Sequence, residues 1–279
     1  MEDSDSIERM GGGAGRGARI LPWRRPGVGP YEQAFQRALR GALVYQRQAE
    51  GQRASAHRLA ADLLQQAPGR RELLLRNHPA FGGWWLAALL ADAAETRGRT
   101  GGEDLHLASL ATEAAAAVGA ADAEAVLTED VNARSWRVLA DAQRKAGDLD
   151  AAADSLARAR RHQRRGTREP LERAALLESS GLLLAARGRG RAAACLAAAA
   201  SLYACLRERH PEGRARTHLG LLAGDPGQAA VHLRRGLECL DAAAEPDIAE
   251  RARRRLAALL PRPVPVPVPL IRPPLPAIL

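Results

Sequence analysis

The sequence predicts an all-α fold, built as a row of antiparallel helical hairpins. Three observations point there. Of the 279 residues, 46% are apolar but only 3% are aromatic, so the core must come from Ala and Leu, the material of close-packed helices. β-branched and aromatic residues, which favour strands, are scarce. Apolar residues also recur at helical spacing between short Gly- and Pro-bearing joints, from residue 31 to about residue 260. The length suits one extended domain or two compact ones.

In chain order, residues 1–30 hold Gly11-Gly12-Gly13, Gly15, Gly17, Pro22, Pro26 and Pro30 with no period, which predicts a disordered leader. Its opening residues Glu2, Asp3 and Asp5 lack the apolar run of a secretory signal. Residues 31–102 read as an N-terminal helical region. Tyr31 to about Gln66 carries Phe35, Leu39, Leu43, Leu59, Leu63 and Leu64, with a break expected at Gly51. A short helix over Arg70–Arg76 ends at His78-Pro79. Phe81, Trp84, Trp85, Leu86, Leu89 and Leu90 open another that runs to the Gly98–Gly102 loop. Further helices are expected at about 103–118, 123–146, 148–164, 169–187, 189–208, 212–223, 226–242 and 247–260.

The joints carry their own chemistry. Asp225-Pro226-Gly227-Gln228 offers a cap, a first-turn proline and a glutamine three residues on. Asp247 with Glu250 forms a similar box. Gly147-Asp148 and Gly166-Thr167 are tight helix-to-helix joints. From Pro261 onward, Pro263, Pro265, Pro267, Pro269, Pro273, Pro274 and Pro276 forbid helix and predict a polyproline II tail over 261–279.

The hairpins repeat. With Ala133 as position 1, Trp136 stands at 4, Leu139 at 7, Ala140 at 8, Gly147 at 15, Ala152 at 20, Leu156 at 24 and Ala159 at 27. This resembles the tetratricopeptide (TPR) repeat, with large residues at 4, 7 and 24 and small ones at 8, 20 and 27. The small residues let helix backbones approach while the large ones fill the flanking holes. A second copy starts at Arg173 and places Leu176, Ser180, Ala192, Leu196 and Ala199. A third fits only its second helix, through Ala229, Leu233 and Gly236, because its first is compressed between Gly220 and Gly224. Trp84, Ala88, Ala108 and Ala111 suit a degenerate first hairpin. The resemblance implies a right-handed solenoid over 103–260, with 247–260 as its solvating cap. Leu74–Glu95 followed by the repeats is also similar to uncharacterised bacterial TPR proteins, some associated with helix-turn-helix regulators, a likeness that supplies no activity.

No catalytic or metal-binding constellation emerges. His57, His78, His106, His162, His210, His218 and His232 contain no pair three or four apart, as zinc ligands on one helix face require. Gly188, Gly190 and Ala193 follow helical sequence, where a dinucleotide loop needs a strand. Neither a phosphate-binding loop nor a nucleophile elbow occurs. The expectation is a non-enzyme without cofactor. Cys195, Cys205 and Cys239 read as small buried hydrophobes in a reducing compartment. The uncharged run between Arg191 and Arg207 is shorter than the roughly 20 residues of a membrane span, so a cytoplasmic protein without membrane contact is expected.

The net charge is +9, and Lys145 is the only lysine. Arg, Ala, Gly and Pro in excess are what a GC-rich coding sequence produces, yet the positive field still favours anionic partners. The TPR resemblance implies a concave face lined by positions 2, 5, 9, 12 and 13: Arg134, Arg137, Asp141, Arg144 and Lys145 in the first copy. In the second copy these are Ala174, Leu177, Gly181, Leu184 and Ala185. The partner expected there is an acidic, partly apolar segment of another protein, held by a scaffold. Reversing Arg137 and Arg144 to Glu is expected to abolish capture without unfolding. Asp141 stands where carboxylate-gripping repeats carry Asn, which argues against recognition of a chain terminus. The alternative is a nucleic-acid-associated regulator using two arginine clusters, Arg158–Arg168 and Arg251–Arg255. The Pro-rich tail could also occupy its own chain's groove.

Overall fold

The computed structural model describes residues 30–97, 102–118 and 125–259. Eleven α-helices and one 3-10 turn occur among the described residues, and no strand. The expected leader, apart from Pro30, most of the Gly98–Gly102 loop and the Pro-rich tail lie outside them. Contacts divide the chain into two units, Met1–Gly51 and Gln52–Leu279.

Helix α1 (Pro30–Gln65) crosses that boundary and, contrary to expectation, does not break at Gly51. A glycine inside a helix costs only about 1 kcal/mol relative to Ala, too little to stop a long run of good helix formers. In the first unit Phe35, Leu39 and Leu43 are exposed. In the second, Ala56 and Leu63 are buried, with Leu59 and Leu64 packed beside them. Arg71 fastens the end of α1 by donating from Nε to the Gln66 carbonyl at 2.8 Å and from Nη2 to that of Leu64 at 2.7 Å.

The second unit continues with α2 (Pro68–Asn77), a 3-10 turn at Pro79–Phe81, α3 (Trp84–Arg97) and α4 (Glu103–Ala116). There follow α5 (Ala125–Lys145), α6 (Leu149–Arg165), α7 (Pro170–Ala186), α8 (Ala192–Leu206), α9 (Arg209–Leu222), α10 (Pro226–Cys239) and α11 (Pro246–Leu259). Helices pair as α3–α4, α5–α6, α7–α8 and α9–α10, and each pair packs on the next. The odd-numbered helices from α3 to α11 also touch one another in succession, which sets them side by side along one face. Helix α11 covers the end of the row against α9 and α10.

Small residues make this stacking possible. Ala140, Ala152, Leu156 and Ala159 share one buried cluster with Leu176 and Leu183, as the repeat spacing predicts. In α7 the close approach falls on Gly181 rather than Ser180. A Cβ on Gly181 would lie 2.7 Å from Leu196 Cγ and 3.1 Å from the Ala192 carbonyl. Ser180 turns away instead and accepts from Arg160 Nη2 at 2.6 Å. The second copy therefore runs one residue later than its sequence pattern suggests. The third hairpin is built from two 14-residue helices. They come so close that a Cβ on Gly213 would strike the Leu240 backbone.

The caps at the joints follow from local chemistry. Asp148 accepts from Ala151 N at 3.0 Å just after Gly147, whose φ of 88° suits glycine. Asp225 accepts from Gln228 N at 2.7 Å. Asp247 is not a cap: α11 begins at Pro246, whose fixed φ starts the first turn and places Asp247 inside it. The cysteines also depart from expectation. Only Cys239 is buried, while Cys195 is half-buried and Cys205 is exposed near the end of α8.

Candidate functional site

Helices α3, α5, α7, α9 and α11, with the segment leading into α11, line a trough of about 1030 Å³. All five residues expected from the first copy line it: Arg134, Arg137, Asp141, Arg144 and Lys145. None of the five expected from the second copy does. The one-residue shift in α7 sends Ala174 into the core and Gly181 against α8. Leu171, Ala175, Glu178, Ser179 and Leu182 face the trough in their place.

The first-copy cations are not all free. Arg137, only 9% exposed at its side chain, donates from Nε to Glu172 Oε1 and from Nη2 to Glu95 Oε1, each at 2.7 Å. Arg134 donates from Nη2 to Glu95 Oε2 at 2.7 Å and also to Asp92. Asp141 accepts from Ser179 Oγ at 2.6 Å. Further along, Glu178 receives Arg214 Nε at 2.6 Å, Arg214 Nη2 at 2.8 Å and the Tyr203 hydroxyl at 3.0 Å. Arg214 Nη1 also reaches Glu245 at 3.1 Å.

Arg134 and Arg137 thus belong to a ladder of ion pairs that ties α3 to α5, α5 to α7 and α7 to α9. This corrects the expectation that reversing Arg137 would leave the fold intact, since glutamate there would face Glu95 and Glu172. Arg144 and Lys145 remain, at the last turn of α5. Arg144 Nε lies 3.6 Å from Asp141 Oδ1, without a hydrogen-bond partner among the described residues. Lys145 is exposed. Beside them stand Arg251 of α11, which the sequence reading set in a separate arginine cluster, and His218 of α9, which it gave no role; both line the same trough. Burial holds His218 below its usual pKa; Glu178 opposes this, while Arg214, Arg144 and Arg251 reinforce it.

The ladder had a readable signal. Its rungs between α3 and α9 join residues 35 to 42 apart, from Arg137–Glu172 to Arg137–Glu95. Ala159, Ala199 and Gly236 recur at 40 and then 37 residues. Opposite charges one period apart on odd-numbered helices therefore mark the rungs.

The carboxyls report the balance between burial and pairing. Burial works against ionisation of Glu95, but Arg137 and Arg134 outweigh it and hold the pKa at about 2. Glu178 is also held low: burial opposes, and Arg214 with its hydrogen bonds prevails. Glu172 goes the other way, because burial lifts it beyond what Arg137 restores. A depressed carboxyl contributes stability that is present above its unfolded value and is lost as pH falls through the folded one. The midpoint of urea unfolding should therefore drop as pH falls from about 4.5 toward about 2. Glu172 contributes with opposite sign, since protonation relieves its cost. A Glu95→Gln variant should show a shallower acid slope; an unchanged slope would mean that Glu95 carries none of the acid sensitivity.

No protein-family model and no curated protein matches this sequence. Among solved structures, the crystal structure of BtubC (BKLC) from P. vanneervenii is similar over 81% of this chain and 98% of its own, at 18% identity and a TM-score of 0.46. A likeness that slight carries neither fold nor function across.

Proposed function

We propose that this chain is a TPR-like, solenoidal scaffold of the bacterial cytoplasm that receives a segment of a partner protein in the trough. One observation carries the reading. Arg144, Lys145 and Arg251 line the trough without a hydrogen-bonded carboxylate, except that Arg144 stands near Asp141. Leu171, Leu182 and Ile248 line it too. Such a surface suits a peptide that alternates acidic and apolar side chains, laid in as a helix or an extended strand.

Arg134, Arg137 and Asp141 act here as the braced wall of the trough, and Arg144 and Lys145 as its contact residues. The reading is of a binding module rather than an enzyme, because Glu95, Glu172 and Glu178 are engaged in ion pairs that hold helices together. Among the described residues no helix is long and apolar enough to cross a membrane, and the three cysteines are free thiols, as suits a reducing compartment.

Fluorescence anisotropy with a labelled Glu/Leu-rich peptide tests the reading, with a Lys/Leu-rich peptide as comparison. The acidic peptide should bind the native chain in preference. A Lys145→Glu, Arg251→Glu variant should lose about tenfold or more in affinity with its melting temperature unchanged. Equal binding by variant and native chain would remove the trough as the site.

A further inference from the structure

A second cationic surface lies outside the trough, at the C-terminal end of α6. Arg158, Arg160, Arg161, Arg164, Arg165 and Arg168 are all exposed, and none forms an ion pair among the described residues. This contrasts with Arg134, Arg137 and Arg214, each held by carboxylates. The two acidic residues that α5 brings to the same end are already engaged. Glu129 Oε2 lies 2.6 Å from His162 Nδ1, and Asp130 Oδ1 accepts from Thr167 N at 2.9 Å. The pull of the helix C-terminus on cations acts within its last turn, so it accounts for Arg164 and Arg165 but not for the other four.

The turn that follows α6 adds the sixth cation under strain. Arg168 has φ of 60°, the left-handed region that side chains other than glycine avoid. Its Nε donates back to the Arg164 carbonyl at 3.2 Å, which folds the residue over the helix end. Asp130 anchors this turn, and Gly166 sits so tightly against its carboxylate that a Cβ would overlap it. A glycine would relax position 168, yet an arginine stands there.

We propose that this arginine surface binds the phosphate backbone of a nucleic-acid duplex without reading its sequence. Guanidinium groups grip phosphate bidentately. Residues 158–165 span about 11 Å of helix, over which a duplex presents one charge per roughly 1.7 Å. The chemistry around the cluster excludes close rivals. Single strands need free aromatic platforms, but Arg158 already covers Trp136 at 4.6 Å from the ring centroid. Membrane-surface helices need large apolar side chains beside the charge, and residues 158–168 contain none.

The test is anisotropy of the full chain with a labelled DNA duplex of arbitrary sequence across a KCl series. Binding should appear at low salt, and log K should fall against log salt with a slope of up to about −5, at roughly 0.9 per phosphate contact. An Arg161→Gln, Arg164→Gln, Arg165→Gln variant should flatten that slope by about 0.9 per residue replaced. An Arg253→Gln, Arg254→Gln, Arg255→Gln variant on α11 should leave it unchanged. Arg168→Gly should raise the melting temperature while weakening duplex binding, a pairing of signs that a merely structural arginine would not give. The proposal is overturned by no binding at low salt, by a flat salt response, or by equal losses from the two triple variants. It is also overturned if phosphatidylserine vesicles bind and the duplex does not.

Discussion

Replacing Arg137 by alanine should destabilise the chain by about 3–5 kcal/mol, the usual cost of removing one partner from a buried ion pair. Arg137 is held between Glu95 and Glu172 with its side chain 9% exposed. Burial works against its charge, but Glu172 and Glu95 together lift its pKa well above the ordinary arginine value. Without it, burial of Glu172 is opposed only by the more distant Arg134, so its carboxyl is driven further toward the protonated form, while Glu95 falls back on Arg134. A paired Arg137→Met, Glu172→Leu variant should recover most of the loss, because exchanging a buried ion pair for apolar packing is often neutral or better. Urea unfolding of the single and paired variants separates these terms. A loss below about 1 kcal/mol for the single variant would put this rung in the class of solvent-screened surface pairs.

That expectation reverses what the sequence suggests for the same residue, and the reason is physical. The repeat spacing of Trp136, Ala140, Ala152 and Ala159 is legible because helix contacts within a hairpin are local and obey a fixed period. The TPR resemblance implies Arg134, Arg137, Asp141, Arg144 and Lys145 on the concave face, and all five line the trough. What it leaves open is which of those charges are spent on neighbours, since the partners stand one repeat away, on separate helices. The second copy shows a finer limit. Ser180 and Gly181 are both small enough to permit close helix approach, so composition alone does not say which faces α8. The choice falls on Gly181 because Leu196 and the Ala192 carbonyl leave no room for a Cβ. That single-residue shift exchanges every side chain α7 shows to the trough. The places of Arg251 and His218 on the trough go unread for a related reason: the third copy is compressed, and its close approaches use Gly213, Gly220 and Gly236 in place of the alanines of the first.

The second rung offers the other large effect. Glu178→Gln should cost about 3 kcal/mol, near the lower end for a broken buried pair, because Arg214 keeps Glu245 at 3.1 Å while losing its bidentate partner. The new amide also turns a donor toward the guanidinium where a carboxylate oxygen accepted before. Tyr203→Phe removes the third bond to Glu178, at about 1.5 kcal/mol for a hydrogen bond to a charged group, and leaves the Arg214 pair in place. The two losses should not add. Once Glu178 is uncharged, the Tyr203 hydroxyl bonds only a neutral amide, so the double variant should lose less stability than the sum of the two single losses. The same rung ties α7 to α9 alongside a buried phenol that α8 supplies, so its loss should be felt by three helices at once. Hydrogen exchange would show this as faster opening across α7, α8 and α9, with α3 and α4 unchanged. Exchange confined to α9 would mean that the rung only tethers the last hairpin, and that the row of helices is held by its small-residue contacts alone.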